Sequence, residues 1–318
     1  MHYSPAPMHI PDGFLSVLVS VILWVISAPV VAYALKRVGQ DMGERQVPMM
    51  GVLAAAIFAG QMLNFTVAGG TSGHLMGAAL ATILSGPWAA VLVMTSVVSI
   101  QALIFQDGGL LVLGANIFNM GIVGVAVSYA VFHLLRRLPG GRTMKLLIPG
   151  FISAWASIVA SALAVSLQLA ISGTTPASLA IPAMAGVHAL IGIGEGLITV
   201  GALAFLAATR PDLLQPGREG APAGRAVWVF GLLLSAGLAV LSPLASSNPD
   251  GLEAVAERLG FIETAREPLY RLIPDYLFPG ISNEALATIA AGIVGILLVC
   301  GVILAAGHIR RGPEASNR

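Results

Sequence analysis

The sequence predicts an all-α protein that crosses a lipid bilayer about nine times. Of its 318 residues, 57% are hydrophobic and 10% are charged, whereas soluble domains carry roughly 25% charged residues. The hydrophobic residues are grouped in stretches close to the ~20 residues that a helix needs to cross the hydrocarbon core. The basic residues are distributed unevenly between the connecting segments. Together these observations predict a polytopic membrane protein.

Nine apolar stretches are found along the chain. They fall near 14–35, 47–65, 75–86, 87–105, 110–135, 146–171, 183–208, 226–245 and 285–307. The third stretch is short, and one long bent helix through Ser85, Gly86 and Pro87 would remove a crossing. Topology decides between these two possibilities.

The basic residues favour nine crossings, with the amino terminus outside and the carboxyl terminus inside. In that arrangement 13 of the 16 Lys and Arg residues are cytoplasmic. They are Lys36, Arg37, Arg45, Arg136, Arg137, Arg142, Lys145, Arg210, Arg218, Arg225, Arg310, Arg311 and Arg318. The other three share one outer loop with four glutamates. Joining the third and fourth stretches would put Arg136 on the opposite side from Lys36, against the positive-inside tendency.

A polar segment rich in Pro and Gly, 209–224, divides the chain. It is typical of a linker, and the orientation above makes it cytoplasmic. We therefore predict a seven-helix membrane domain over 8–208 and a second domain over 225–318, with two spans and an outer loop. No internal repeat of the kind seen in many secondary transporters is visible.

The remaining composition excludes several classes of function. The net charge of +1 gives no reason to expect a nucleic-acid partner. The single cysteine, Cys300, lies in an apolar run and can form neither an internal disulfide nor a thiolate cluster. No removable signal peptide is expected, because the residues before the first span carry no Lys or Arg.

The histidines are the side chains best suited to bind a metal ion. His133 and His308 lie beside arginines at cytoplasmic helix ends, where a solvated or headgroup-contacting side chain is expected. His2, His9, His74 and His188 map to the outer side, and we expect that they could converge on one site. Each histidine taken alone is more often a hydrogen-bonded packing residue than a ligand.

A Met-His pair at a free amino terminus strengthens the metal hypothesis. It offers the terminal amine, a backbone amide nitrogen that can lose its proton, and the imidazole Nδ1, which close a five-membered and a six-membered chelate ring. One further imidazole would complete a planar site of four nitrogens. This donor set favours nickel(II) or copper(II) and is compatible with cobalt(II), whereas magnesium and calcium prefer oxygen ligands.

Several motifs carry a resemblance to a known family. They are Met8-His9-Ile10-Pro11-Asp12-Gly13-Phe14-Leu15, Gln61-Met62-Leu63-Asn64-Phe65, Ala68-Gly69-Gly70-Thr71-Ser72-Gly73-His74-Leu75, Phe105-Gln106-Asp107-Gly108-Gly109, Gly114-Ala115-Asn116 and the segment 187–196. Over roughly 8–210 the chain resembles the CbiM/NikM family, the substrate-capture (S) subunits of cobalt and nickel energy-coupling-factor (ECF) transporters. The outer-loop segment Asn248-Pro249-Asp250-Gly251-Leu252-Glu253 resembles the CbiN/NikN-type (PDGLE) component, here fused to the first domain.

This resemblance implies a seven-helix capture unit whose amino terminus folds back into the outer half of the bundle. It implies four metal-binding nitrogens: the amine of Met8, the amide and Nδ1 of His9, and the imidazole of His74. Seven residues, 1–7, precede Met8 here, and an acylated Met8 nitrogen cannot be the amine donor. We expect that translation begins at Met8. The alternatives are a cleaved leader, or chelation by Met1 and His2.

The resemblance also implies partners and a location. The expected partners are a transmembrane coupling (T) subunit and two cytoplasmic ATPases, in the lipid of a bacterial or archaeal cytoplasmic membrane. The chain has no Gly-x-x-x-x-Gly-Lys-Ser/Thr motif, so ATP hydrolysis would belong to other subunits. We expect no enzymatic activity and no cofactor, with cobalt or nickel as the transported substrate. The donor set does not separate the two metals.

Other polar residues in or beside the spans have two interpretations. Gln61, Asn64, Gln101, Asn116 and His188 could orient the metal-binding imidazoles, or they could hydrogen-bond between helices. Glu195 is costly within a bilayer and needs a partner. The segment 69–73 is glycine-rich, and we expect a tight turn that brings His74 near the metal.

The alternative hypothesis is a stand-alone ion-coupled metal permease. In that case Glu195 or His188 would carry a coupling proton. Metal uptake by vesicles that contain only this chain, driven by a pH gradient, would favour the permease.

Overall fold

The computed structural model describes residues 9–41, 46–214 and 225–309, and this part of the chain is mainly helical. The helices α1 to α11 are Val17–Asp41, Gln46–Gln61, Ala78–Ser85, Pro87–Ile100, Leu113–Asn116, Gly124–Leu135, Met144–Ile171, Ala177–Thr209, Arg225–Leu241, Gly251–Leu259 and Glu284–Ile309. A π-helical turn, Gln101–Phe105, extends α4, and a second, Ile117–Val123, joins α5 to α6. Short 3-10 turns lie at Pro211–Leu214, Ser242–Leu244, Ile262–Thr264 and Pro274–Tyr276.

The structure confirms the all-α, multi-span fold, with seven helices rather than nine that are long and apolar enough to cross a membrane within the described ranges. They are Val17–Gln40, Pro87–Phe105, Leu113–Leu135, Met144–Ile171, Ala177–Thr209, Val227–Leu244 and Glu284–Gly307. The difference from the prediction concerns the second and third stretches.

The second and third stretches form shorter helices. The α2 helix has 16 residues and α3 has eight, so at 1.5 Å per residue they are about 24 and 12 Å long. The α3 helix starts only at Ala78, after an irregular segment, and ends at Gly86, which has φ 78°. Pro87 then begins α4, where its missing N–H costs no hydrogen bond. The predicted chain break at Pro87 is therefore present, but α3 alone is too short to be a complete span.

Side-chain contacts show how the helices run. The rings of Tyr33, late in α1, and Trp88, at the start of α4, lie 4.8 Å apart. A Cβ placed on Gly307, near the end of α11, would lie 2.5 Å from Val47 at the start of α2. These helix ends therefore share one end of the bundle. Asp107, which follows α4, lies at the opposite end with His9, so His9 and the end of α11 are at opposite ends of the bundle, as any odd number of crossings requires.

A small hairpin precedes His74. Strand β1, Phe65–Val67, pairs antiparallel with β2, Thr71–Gly73. Gly69 and Gly70 have φ values of 80° and 75° in the connecting turn, a conformation that is favourable for glycine. The predicted tight turn before His74 is confirmed, and two short strands, which the sequence did not predict, lead into it.

The segment between α9 and α11 packs over the same end of the bundle as His9. Within it, Asp250 caps α10, because its Oδ1 accepts a 2.7 Å hydrogen bond from the backbone N–H of Glu253. Leu252, Val255 and Phe261 are buried in a hydrophobic cluster with Phe14. The Phe14 and Phe261 ring centroids are 5.1 Å apart. The segment after α9 is thereby joined to the amino-terminal segment of the first domain.

Candidate metal-binding site

His9 lies in the segment before α1 and is 3% exposed. Its backbone N–H donates to Asp107 Oδ1 at 3.2 Å, and its Nδ1 donates to the same oxygen at 3.0 Å. Two nitrogens of one residue therefore converge on one atom, and a six-membered ring is closed through that oxygen. The Nε2 atom of His9 is buried without a hydrogen-bond partner among the described residues.

Hydrogen bonds to α5 and to the segment before it fix the position of the amino-terminal segment. Asn116 Oδ1 accepts from the Ile10 N–H at 3.1 Å, and Asn116 Nδ2 donates to the Ile10 carbonyl at 3.1 Å. The Asp12 carboxylate accepts from the N–H groups of Leu110 and Val112, at 3.2 and 3.1 Å. A Cβ on Gly109 would lie 2.1 Å from Asp12 Oδ1, so this close approach requires glycine. His9 is thus held on its carboxyl-terminal side by paired backbone contacts.

His74 follows β2 and lies beside His9. Its Nδ1 donates to the Leu75 carbonyl at 3.0 Å, so the proton is on Nδ1 and the lone pair is on Nε2. The His9 and His74 ring centroids are 5.8 Å apart, with the rings at 63° to each other. Because a ligating imidazole nitrogen lies ~2.0–2.1 Å from its metal, two rings on one ion have centroids no more than about 6.5 Å apart. The observed spacing lies within this limit.

A cavity of about 100 Å³ adjoins these rings. His9, His74, His188, Asn116 and Asp250 are among its lining residues. His188, in α8, donates from Nδ1 to the Met184 carbonyl one turn earlier, at 2.8 Å. Of the four histidines expected on the outer side, the structure brings three to one cavity.

The other predicted site residues have different positions. Met8 and His2 lie outside the described residues. Gln61 and Gln101 form a buried pair, since Gln101 Nε2 donates to Gln61 Oε1 at 2.8 Å, and Gln61 Nε2 donates to the Met76 carbonyl at 2.8 Å. Within the described residues, neither amide forms a hydrogen bond to an imidazole. Asn64 lines a second cavity, of about 310 Å³, and Asn116 orients the backbone after His9 instead of an imidazole.

The segment after α9 covers the site. Ser72, two residues before His74, donates its N–H to the Pro249 carbonyl at 2.8 Å and its hydroxyl to the Asn248 carbonyl at 2.8 Å. The Tyr276 hydroxyl donates to Asp107 Oδ2 at 2.6 Å. Both oxygens of Asp107 are thereby used, one by His9 and one by a residue more than 160 positions later in the chain.

The charges in this cluster are strongly coupled. Burial disfavours the charged form of His9, but the charge and hydrogen bond of Asp107 outweigh burial and raise the pKa of His9. Burial likewise opposes ionisation of Asp107, yet His9 and the Tyr276 hydrogen bond lower the pKa of Asp107. Burial raises the pKa of Asp250 to about 7, with repulsion from Glu253 and Asp107 adding to the effect. His9 and Asp107 therefore each favour the charged form of the other.

Asp107, Asp250 and Tyr276 are site residues that the sequence did not single out. Asp107 and Asp250 lie in motifs that carried the family resemblance, and those motifs were the available signal. Tyr276 gave none, because a tyrosine in a polar loop has no distinguishing pattern. Within the described ranges, no group of three or more His, Cys, Asp or Glu side chains is arranged to hold a metal ion.

Replacing Asn116 by alanine should weaken metal binding by about 10- to 100-fold, the usual cost of losing an outer contact that orients a ligand. The change removes both hydrogen bonds from Asn116 to Ile10 and leaves the buried Ile10 N–H unpaired, while the Ile10 carbonyl keeps the hydrogen bond from the Gly109 N–H. The measurement is a nickel titration of the purified protein. Asn64→Ala is the matched control, because Asn64 lines the other cavity. Equal affinities of the two variants would contradict this role of Asn116.

Comparisons with known proteins match this architecture in two parts. Residues 9–213 match the family described as the cobalt uptake substrate-specific transmembrane region (CbiM). Residues 225–312 match the PDGLE domain.

Some relatives match nearly the whole chain and others match its first part. A protein of Archaeoglobus fulgidus assigned as a fused nickel transport protein, NikMN, is 38% identical over 301 residues, which cover 92% of this chain and 95% of that protein. The cobalt transport protein CbiM of Sorangium cellulosum is 38% identical over 215 residues, covering 65% of this chain and 95% of its own length. A crystal structure of a truncated transition metal transporter superposes with a TM-score of 0.55 at 34% identity, covering 63% of this chain and 98% of that one.

Proposed function

The chain belongs to the CbiM family of cobalt uptake substrate-specific transmembrane proteins and carries a fused PDGLE domain, and on this basis we propose that it captures cobalt or nickel ions as the S subunit of an ATP-driven ECF importer. It is a multi-pass membrane protein with cobalt and nickel transport proteins among its relatives. In this proposal 8–208 is the capture domain, 209–224 the linker and 225–318 the accessory domain.

The observation that carries the proposal is the convergence of two His9 nitrogens on one point. The backbone nitrogen and Nδ1 both point at Asp107 Oδ1, at 3.2 and 3.0 Å. A metal ion bound by the same two nitrogens closes the same six-membered ring. His9 therefore already has the side-chain conformation that chelation requires, and little conformational entropy remains to be lost on binding.

The remaining donors come from either side of this chelate. The amine of Met8 would close the five-membered ring, and Nε2 of His74 would complete four nitrogens, since Nδ1 of His74 is committed to the Leu75 carbonyl. Four nitrogens suit nickel(II) and cobalt(II), whereas the hard cations magnesium and calcium favour oxygen ligands.

In this proposal Asp107 also acts once the metal is bound. Its Oδ1 lies where the two His9 nitrogens converge, so metal loading breaks both hydrogen bonds to that oxygen. The carboxylate can then balance the positive charge of the bound ion from a short distance.

The energy for import would come from other subunits. The chain has no phosphate-loop motif, so the proposal assigns ATP hydrolysis to two cytoplasmic ATPases and coupling to a transmembrane T subunit. The assembly would lie in the cytoplasmic membrane of a bacterium or archaeon.

Metal binding should weaken as the pH falls from 7.5 to 5. The two imidazoles and the amine must lose protons to bind metal, and Asp107 raises the pKa of His9, so protons compete more strongly for this nitrogen. For each proton that the metal displaces, the metal affinity falls by up to tenfold per pH unit. We therefore expect the affinity to fall by at least about 100-fold over this range. Calorimetric titration of a chain that begins at Met8, with nickel(II) and then cobalt(II), measures it.

Equal affinity at pH 5 and pH 7.5 would contradict a nitrogen site and would favour carboxylate or carbonyl ligands. A control titration with calcium(II), which prefers oxygen ligands, should give little heat at either pH.

A further inference from the structure

Glu195 is a buried carboxylate that the proposed metal site does not use. It lies in α8, a candidate span, and is 0% exposed. Carboxylates within a span are rare because they are costly to desolvate, and they persist where a specific partner compensates for that cost. The partner of Glu195 therefore indicates what the residue does.

Its partner is the backbone just after His74. Glu195 Oε2 accepts from the Met76 N–H at 2.7 Å, and Oε1 accepts from the Gly77 N–H at 2.9 Å. These N–H groups precede α3, where no earlier helical turn supplies a carbonyl for them. Gly77 has φ 84°, so the chain here is neither strand nor helix. Without Glu195, two buried donors in the span region would be unpaired.

The peptide group between Met76 and Gly77 is also hydrogen-bonded through its carbonyl oxygen. Gln61 Nε2 donates to the Met76 carbonyl at 2.8 Å, and Gln101 supports Gln61. On the amino-terminal side of His74, a Cβ on Gly73 would lie 2.6 Å from Ile191. Ile191 and Glu195 are one turn apart on α8, so α8 contacts the chain both before and after His74.

We propose that Glu195 is a positioning residue for metal capture: its carboxylate fixes the turn after His74 and thereby holds the His74 imidazole beside His9. This inference rests on the proposed metal site, because it gives Glu195 a role through His74. The inference does not make Glu195 a ligand, because Glu195 does not line the cavity beside His9 and His74 and its oxygens accept backbone hydrogen bonds.

The test compares Glu195→Gln with Thr199→Val in the chain that begins at Met8 and keeps both domains, using nickel(II) alone as the probe. Glutamine keeps the size of the side chain but replaces one acceptor oxygen with an NH₂ group that would face a backbone N–H. Thr199 is one turn further along α8, is 0% exposed, and its hydroxyl has no hydrogen-bond partner among the described residues. The valine variant therefore controls for a conservative change in the same helix.

We expect Glu195→Gln to weaken nickel binding by about 10- to 100-fold and to change the visible d–d absorption of the bound nickel, because His74 is no longer held in the coordination plane. Thr199→Val should match the wild type in both measurements. Glu195→Asp keeps the charge but is one methylene shorter, and it should give an intermediate affinity. If the glutamine variant does not fold, as judged by gel filtration in detergent, the aspartate variant decides.

Wild-type affinity and absorption in Glu195→Gln, or in Glu195→Asp where that variant decides, would overturn the inference, and so would equal weakening in Thr199→Val. Failure of the proposed function gives a different result. In that case the wild type binds no nickel, or His74→Ala binds it as tightly as the wild type. If wild type binds and His74→Ala does not, an unaffected Glu195→Gln overturns the positioning role alone.

Discussion

Replacing His9 by alanine is expected to abolish high-affinity nickel and cobalt binding. The change removes Nδ1 and with it the six-membered chelate ring, and it also removes the side chain that holds the backbone nitrogen toward Asp107. The loss should exceed the 10- to 100-fold typical of outer contacts and reach at least about 1,000-fold. Titration of the purified variant, followed by metal analysis after gel filtration, measures it.

His133→Ala is the matched control for this change. His133 is exposed near the end of α6, and its Nδ1 donates to the Tyr129 carbonyl at 2.9 Å. Its replacement should leave binding unchanged. A His9→Ala protein that retains wild-type affinity would exclude the amino-terminal chelate.

Replacing His74 by alanine should have the second largest effect. We expect nickel affinity to fall by at least about 1,000-fold, because this change removes a metal ligand and not only an outer contact. The other three nitrogens remain in this variant, so weak residual binding with water in the fourth position is expected. Because Nδ1 of His74 donates to the Leu75 carbonyl, Nε2 is the nitrogen that we expect to bind the metal. Nickel titration is the measurement.

The His188→Ala variant tests whether His188 is a metal ligand or only lines the cavity. His188 borders the same cavity, but its Nδ1 is committed within α8. We expect its replacement to weaken binding by less than about tenfold, below the 10- to 100-fold range of outer contacts that orient a ligand. If His188→Ala loses as much affinity as His74→Ala, the donor set must be revised to include His188.

The long spans could be predicted from the sequence because length and hydropathy determine them almost alone. The 24-residue span Val17–Gln40 and the 33-residue span Ala177–Thr209 are examples. The stretch near 75–86 could not be assigned correctly in this way. Its first residues are apolar but not helical, because tertiary hydrogen bonds from Gln61 and to Glu195 satisfy the backbone of Met76 instead. Hydropathy does not distinguish such a segment from a helix.

The pairing of His9 with His74 could be anticipated from the motifs, and the structure places their rings 5.8 Å apart. The role of Asp107 could not be anticipated, because its partners are distant in sequence. The contact between Tyr276 and Asp107 depends on how the segment after α9 folds over the first domain. The sequence showed that Glu195 needed a partner, but only packing of α8 against the turn after His74 identifies it.

The measurement that tests the central claim most directly is nickel K-edge X-ray absorption of the loaded protein, with the His74→Ala variant beside it. The wild type should show four nitrogen donors in one plane at about 2.0 Å, with outer-shell scattering from two imidazole rings. The variant should show scattering from one ring. A six-coordinate, oxygen-rich site, or a spectrum that is unchanged by His74→Ala, would contradict the account.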